Sequence, residues 1–63
     1  MQGIKEFRQL RKMKQRELAE KVGVSRLTIA RYESGARKPD VYTLQKISEA
    51  LDCTLEDLIG KSA

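Results

Sequence analysis

Two arginines and a leucine lie close together in the middle of the chain, at positions 26, 27 and 31. If this run is helical, Ile29 and Tyr32 share one face, and Arg26, Leu27 and Arg31 fall on the opposite one. An arginine can donate two hydrogen bonds to a guanine base, and an apolar side chain can contact the methyl group of thymine. The spacing therefore predicts a face that reads base edges in the major groove of DNA. The alternative is an ordinary solvated helix face.

The segment before this face has the pattern of a second helix that ends at a glycine. Leu18, Ala19 and Val22 lie at helical intervals and predict one apolar face. Gly23 follows at the expected helix end, where a positive φ angle costs least for glycine. Ser25 can then cap the next helix through its hydroxyl. Two short helices joined by a tight turn are the helix-turn-helix pattern, whose second helix fits the major groove.

Three more helices are predicted around this pair. Helix one covers residues 2–12 and directs Ile4, Phe7 and Leu10 inward. A second glycine stop at position 35 ends helix three, Asp40 caps helix four, and a last helix runs from residue 54 to a stop at Gly60. The inward stripe of helix four is predicted to be Val41, Leu44, Ile47 and Leu51. The chain of 63 residues is thus predicted to be all-α, with five helices in a single domain over residues 1–63.

Positive charge is concentrated in the first part of the chain. Residues 1–39 hold eleven Lys or Arg and four Glu, a net charge of +7, whereas residues 40–63 hold two Lys and five acidic residues, a net charge of −3. The basic part also carries the predicted helix pair. A polyanion-binding face backed by a different surface would have this distribution, although chance segregation in a small protein is the alternative.

The composition argues against enzymatic and metal-binding functions. Cys53 is the only cysteine and histidine is absent, which excludes a disulfide within the chain and a zinc site built on such ligands. Glycine-rich phosphate loops are absent too, so we predict no catalytic residues and no cofactor. Cys53 is predicted to fill a small, semi-buried space before the last helix. No apolar run is long enough for a membrane helix and no signal-peptide pattern is visible, which predicts a cytoplasmic location.

Over residues 4–59 the chain resembles the phage repressor and Cro-like family, also called the XRE-type helix-turn-helix family. The resemblance rests on the run QRELAEKVGVSRLTIARYESG, on the RKP that follows it and on TLQKISEALD. It implies a compact, lambda-repressor-like fold. Members are mostly dimeric transcription regulators that bind palindromic operators. The resemblance therefore implies a transcriptional repressor whose partners are double-stranded DNA and a second copy of the chain.

The resemblance also implies roles for individual residues. Arg26, Leu27 and Arg31 occupy base-reading positions, although many relatives have a polar residue at position 27. Arg8 and Glu33 match a pair that forms a salt bridge between helices one and three, which would fix the angle of the recognition helix. The positions that contact the DNA backbone are Gln15, Ser25, Ser34, Arg37 and Lys38.

Two further expectations concern the first turn of helix two and the protein partners. Lys14 stands where the family usually has a serine or threonine cap, and a cation there opposes the helix dipole unless a phosphate lies nearby. The dimer surface is predicted at Leu55, Leu58 and Ile59, unless these residues are all needed in the core of the monomer. The alternative function is an antitoxin-like subunit that binds a partner toxin and represses its own operon.

Overall fold

A computed structural model describes residues 2–59, which form five helices. They are α1 (Gln2–Leu10), α2 (Gln15–Val22), α3 (Arg26–Ser34), α4 (Val41–Leu51) and α5 (Leu55–Ile59). Helix α2 packs against both α3 and α4, and α1 packs against α3 and α5. The prediction of an all-α, five-helix fold is confirmed. None of the helices within residues 2–59 combines the length and the apolar character that crossing a bilayer requires.

One apolar core receives side chains from every helix. Its buried members are Ile4, Leu18, Ala19, Val22, Ile29, Tyr32, Ile47, Leu51 and Leu58. Phe7, Met13, Val24 and Cys53 are partly buried against this core, so Cys53 lies in the semi-buried space that was predicted for it. Because Ile29 and Tyr32 belong to the core, the opposite side of α3 faces solvent.

The ends of the central helices follow the sequence signals. The hydroxyl of Ser25 accepts a hydrogen bond from the N–H of Thr28 at 3.1 Å, and this bond caps α3. Gly23 and Gly35 end α2 and α3 with φ angles of 86° and 87°, a conformation that glycine adopts without strain. The carboxylate of Asp40 caps α4. These helix boundaries were predicted from local residue types alone.

The inward face of α1 differs from the prediction, because Leu10 is 64% exposed. Helix α1 ends at Leu10 rather than at residue 12, and Lys12 has a left-handed φ of 56°. At about 100° per residue, position 10 lies about 120° away from Ile4, whereas position 11 lies almost directly over it. Position 11 therefore lies on the same side of the helix as Ile4, although Arg11 itself is exposed.

The guanidinium of Arg11 reaches the end of α4. Its Nε donates to the carbonyl of Leu51 at 2.8 Å, and its Nη2 donates to the carbonyl of Asp52 at 2.9 Å. The last carbonyls of a helix have no partner within the helix and carry partial negative charge. Arg11 satisfies two of these acceptors and so ties α1 to α4.

On α4 the predicted stripe is correct for Leu44, Ile47 and Leu51 and wrong for Val41, which is 69% exposed. Val41 is the first residue of the helix and lies about 70° from the middle of the buried stripe. Ser48 lies nearer the middle and is buried instead, with its hydroxyl donating to the carbonyl of Gln45 at 2.7 Å. An internal acceptor allows this polar side chain to be buried at little cost.

Helix α5 begins with a reciprocal capping box. The N–H of Thr54 donates to Oδ2 of Asp57, and the N–H of Asp57 donates to the hydroxyl of Thr54, both at 3.0 Å. The shorter aspartate therefore accepts the hydrogen bond that a glutamate usually accepts in a capping box. Gly60, predicted to end this helix, lies outside the described residues.

Gly3 is buried where α1 approaches α5, and we expect Gly3→Ala to destabilise the fold. An added Cβ would clash with the carbonyl oxygen of Leu58 and would lie 2.7 Å from that of Asp57. Exchanging a helical glycine for alanine ordinarily stabilises by about 0.5–1 kcal/mol, so the clash should reverse the sign. We expect the free energy of unfolding to fall by about 1–2 kcal/mol in urea denaturation. The control is Glu6→Ala on the exposed side of α1; a Gly3→Ala protein as stable as this control would contradict the close approach.

Candidate nucleic-acid interface

The outer face of α3 brings the three predicted base-reading residues together. Arg26 and Arg31 are exposed, and Leu27 between them is 53% exposed. Ser34 is also exposed on this side, at the end of the helix. Two guanidinium groups beside an accessible apolar side chain provide donors for base edges and a contact for a thymine methyl group.

On the side of α3 away from solvent, a largely buried ion pair holds this helix against α1. The Nε of Arg8 donates to Oε2 of Glu33 at 2.5 Å, and its Nη2 donates to Oε1 at 3.2 Å. The remaining guanidinium nitrogen donates to the carbonyl of Met13 at 2.8 Å. The two side chains are only 12% and 5% exposed. A bidentate pair of this kind constrains both distance and orientation, and here it joins α1 to α3.

The side-chain amide of Gln15 joins this ion pair to the outer face of α3. Its Nε2 donates to Oε1 of Glu33 at 3.0 Å, and its Oε1 accepts from Nη1 of Arg26 at 3.2 Å. Both ends of the amide are therefore occupied. The prediction placed Gln15 at the start of α2 near the recognition helix, which is where it lies, but its link to Arg26 was not predicted.

Both serines assigned to the DNA backbone are exposed and take part in helix-end hydrogen bonds. The hydroxyl of Ser25 caps α3 and also shares a hydrogen bond of 2.9 Å with that of Thr28. The hydroxyl of Ser34 donates to the carbonyl of Arg31 at 3.2 Å and accepts from the N–H of Ala36 at 3.3 Å. Their positions beside the outer face are therefore set by local structure.

Positive charge surrounds the outer face of α3. Arg37 and Lys38 are exposed in the loop between α3 and α4. A shallow hollow at the starts of α2 and α3 is lined by four cationic residues, one acidic residue and one amide: Arg8, Lys14, Arg16, Arg26, Glu17 and Gln15. Arg16 was not among the predicted site residues, although its place in the first turn of α2 could have indicated it.

The start of α2 lacks a side-chain cap from Lys14, as expected for a lysine there. An ammonium group has no acceptor and cannot bond the free N–H groups of the first turn. Only the return half of a capping box forms, in which the carboxylate of Glu17 accepts from the N–H of Lys14 at 2.9 Å. Glu17 also supplies the negative charge that favours a helix start.

The residues predicted for a dimer surface are divided between the core and the surface. Leu58 is fully buried within the monomer, so its side chain is not available to a partner. Its assignment to an interface is therefore corrected. Leu55 is partly buried, and Ile59 is 64% exposed.

Comparisons with known proteins agree with this architecture. A helix-turn-helix family model matches residues 4–58. An uncharacterized HTH-type transcriptional regulator of Archaeoglobus fulgidus is 44% identical over 55 residues, which cover 87% of this chain and 79% of the relative. The uncharacterized HTH-type transcriptional regulator YqaE of Bacillus subtilis is 38% identical over 58 residues, covering 92% of this chain and 50% of YqaE.

A phage protein is also similar. The cryptic phage CTXphi transcriptional repressor RstR of Vibrio cholerae is 35% identical over 49 residues, covering 78% of this chain and 44% of RstR. The chain thus spans about half the length of YqaE and of RstR. No solved structure gives a significant match. With its helix pair, exposed arginines and these relatives, the chain belongs to the XRE-type (phage repressor and Cro-like) helix-turn-helix family.

Proposed function

We propose that the chain is a sequence-specific repressor that binds a palindromic operator as a homodimer, with α3 in the major groove. The observation that carries the proposal is the outer face of α3, where Arg26, Leu27 and Arg31 lie side by side and exposed. On the opposite side Ile29 and Tyr32 are buried, so the helix cannot turn these residues inward without losing its core contacts. The similarity to the repressor RstR supports repression.

The phosphate contacts follow from the groups that border this face. Arg37 and Lys38 in the loop after α3 supply charge, and the hydroxyls of Ser25 and Ser34 supply short polar contacts at the two ends of the helix. Contacts to phosphates carry no sequence information of their own, but they set the register of the protein on the duplex. Arg26 and Arg31 would then read bases, and Leu27 would contact a thymine methyl group.

A homodimer would present two copies of α3 to one side of the duplex. Two-fold symmetry would place them about 34 Å apart, which matches half-sites one helical turn apart. We place the dimer surface at α5, where Ile59 is 64% exposed and Leu55 is partly buried beside it in the sequence of the helix.

Selection from a library of random DNA duplexes tests the proposed function. We expect the wild-type protein to enrich duplexes that contain two inverted copies of one short sequence, separated by about one helical turn. Enrichment of no sequence would contradict sequence-specific binding. Enrichment of a single, unrepeated site would retain base reading and contradict the palindromic operator.

We expect Ile59→Glu to shift the protein from dimer to monomer, because a charge would be placed in the proposed apolar contact. Sedimentation analysis at several concentrations measures the change. Leu10→Glu is a matched control, since Leu10 is also 64% exposed but lies on α1. An equal shift in both variants, or no shift in either, would contradict a dimer surface at α5.

A further inference from the structure

Leu27 is the apolar member of the base-reading residues on the outer face of α3. It is 53% exposed and lies four residues before Arg31 on the same helix. Four residues advance a helix by about 6 Å and bring two side chains to the same face. Successive base pairs of DNA are about 3.4 Å apart. With α3 in the major groove, Leu27 and Arg31 would therefore meet base pairs no more than about two apart.

An apolar side chain can recognise one apolar feature of a base edge in the major groove, the C5-methyl group of a pyrimidine. Beside that carbon, thymine presents O4, which is an acceptor, and cytosine presents a 4-amino group, which is a donor. A leucine has neither a donor nor an acceptor, so it cannot distinguish these two groups. A contact from Leu27 would therefore depend on the methyl group and not on which pyrimidine carries it.

The side chains around Leu27 do not restore the distinction between the two pyrimidines. Arg26 and Arg31 donate hydrogen bonds and cannot accept them, and Ala30 has no polar side-chain group. None of these three can accept from the amino group of cytosine. The hydroxyls at the two ends of α3 already take part in hydrogen bonds within the protein. Since the proposed function assigns both arginines to guanines, the methyl group is the feature of the pyrimidine that this face would read.

We propose that Leu27 reads the C5-methyl group that thymine and 5-methylcytosine share, so that methylation of a cytosine at this position raises the affinity of the protein for DNA. The inference rests on the proposed function, in which α3 enters the major groove. A methylated C·G pair would be a site comparable to T·A, and an unmethylated C·G pair would be a weaker one. Binding would then respond to a covalent mark on the DNA while the base sequence stays the same.

Four versions of one duplex test the inference. The starting duplex is the site that the wild-type protein selects from random DNA, and each thymine in it is first replaced by uracil, which lacks only the methyl group. At the thymine where this replacement weakens binding most, the duplexes then carry T·A, U·A, 5-methyl-C·G or C·G, in one half-site or in both. Fluorescence anisotropy gives two ratios of dissociation constants, uracil to thymine and cytosine to 5-methylcytosine. Each ratio isolates the methyl group within one kind of base pair.

We expect both ratios to be about 4-fold when one half-site is changed and about 15-fold when both are, as the burial of one methyl group at each contact predicts. Leu27→Ala should bring both ratios close to one, because the side chain becomes too short for the contact and gains no polar group. Leu10→Ala is the matched control, since Leu10 is also exposed but lies on α1, and it should keep both ratios. Thermal unfolding should be nearly the same for the two variants.

The possible failures differ in what they overturn. Ratios that persist in Leu27→Ala would overturn the inference, because the methyl groups would then act through the shape of the DNA or through another residue. Uracil without effect at every thymine would also overturn it. A uracil effect without a 5-methylcytosine effect would remove the response to methylation and keep the thymine contact of the proposed function. If the wild-type protein selects no sequence, the proposed function fails and the inference fails with it.

Discussion

Glu33→Gln should lower the free energy of unfolding by about 3 kcal/mol, the lower end of the range for breaking a buried ion pair. The substitution keeps the shape of the side chain but removes the charge that faces Arg8. The nitrogen of the new amide must also face a donor in either orientation, because Arg8 donates to both carboxylate oxygens. We expect a loss at the lower end of this range because the Arg8 side chain is 12% exposed and would keep its hydrogen bond to the carbonyl of Met13. Urea denaturation followed by circular dichroism measures the change.

Glu20→Gln is the matched control for this prediction, since it makes the same chemical change at an exposed position of α2. Exposed charges contribute roughly 0–1 kcal/mol, so the control should unfold at nearly the wild-type urea concentration. A small domain seldom has more than about 3–5 kcal/mol of total stability, so Glu33→Gln should bring the protein close to unfolding at room temperature. Equal stability of the two variants would show that the ion pair does not hold the fold together.

The central helices could be predicted because their signals are local. Gly23 and Ser25 act within one turn of their own position, through a left-handed φ angle and a bond to Thr28. Buried positions such as Ile29 and Tyr32 followed from helical spacing, because apolar residues three apart share one face of a helix. Residue types at short range therefore determined this part of the fold.

The incorrect core assignments lie at helix ends. Leu10 is in the last turn of α1 and Val41 in the first turn of α4, and both are exposed. Periodicity indicates which residues share a face, but it does not indicate how far along the helix a neighbour covers that face. Arg11, which is exposed but lies on the same side as Ile4, donates to carbonyls 40 and 41 residues further along the chain. Such a partner becomes apparent only when the packing of α1 and α4 is known.

The positions of the site residues could be predicted from the sequence, but most of the hydrogen bonds among them could not. Exposure of Arg26 and Arg31 followed from the burial of the opposite face of α3. The contacts of Gln15 with Glu33 and Arg26 span 18 and 11 residues and depend on the crossing of α2 and α3. The pairing of Arg8 with Glu33 came from family resemblance, since nothing in the local sequence relates positions 25 residues apart.

Arg31→Ala should relax the preference for one base pair in each half-site and cost about 1–3 kcal/mol of discrimination there. Arg31 is exposed on the outer face of α3, and the structure assigns its guanidinium no capping or core role within residues 2–59. Its loss should therefore leave the fold intact and remove one base contact. Competition between the selected duplex and single-base variants of it measures the change, position by position.

Lys38→Ala is the contrasting substitution, because it removes the same unit of charge from the exposed loop after α3 rather than from the base-reading face. It should weaken binding to all sequences alike and reduce the slope of log affinity against log salt by about one. Discrimination between base pairs should be unchanged, because a phosphate contact is the same at every sequence. Similar effects of Arg31→Ala and Lys38→Ala on every duplex would mean that α3 contributes charge to the interface and does not read bases.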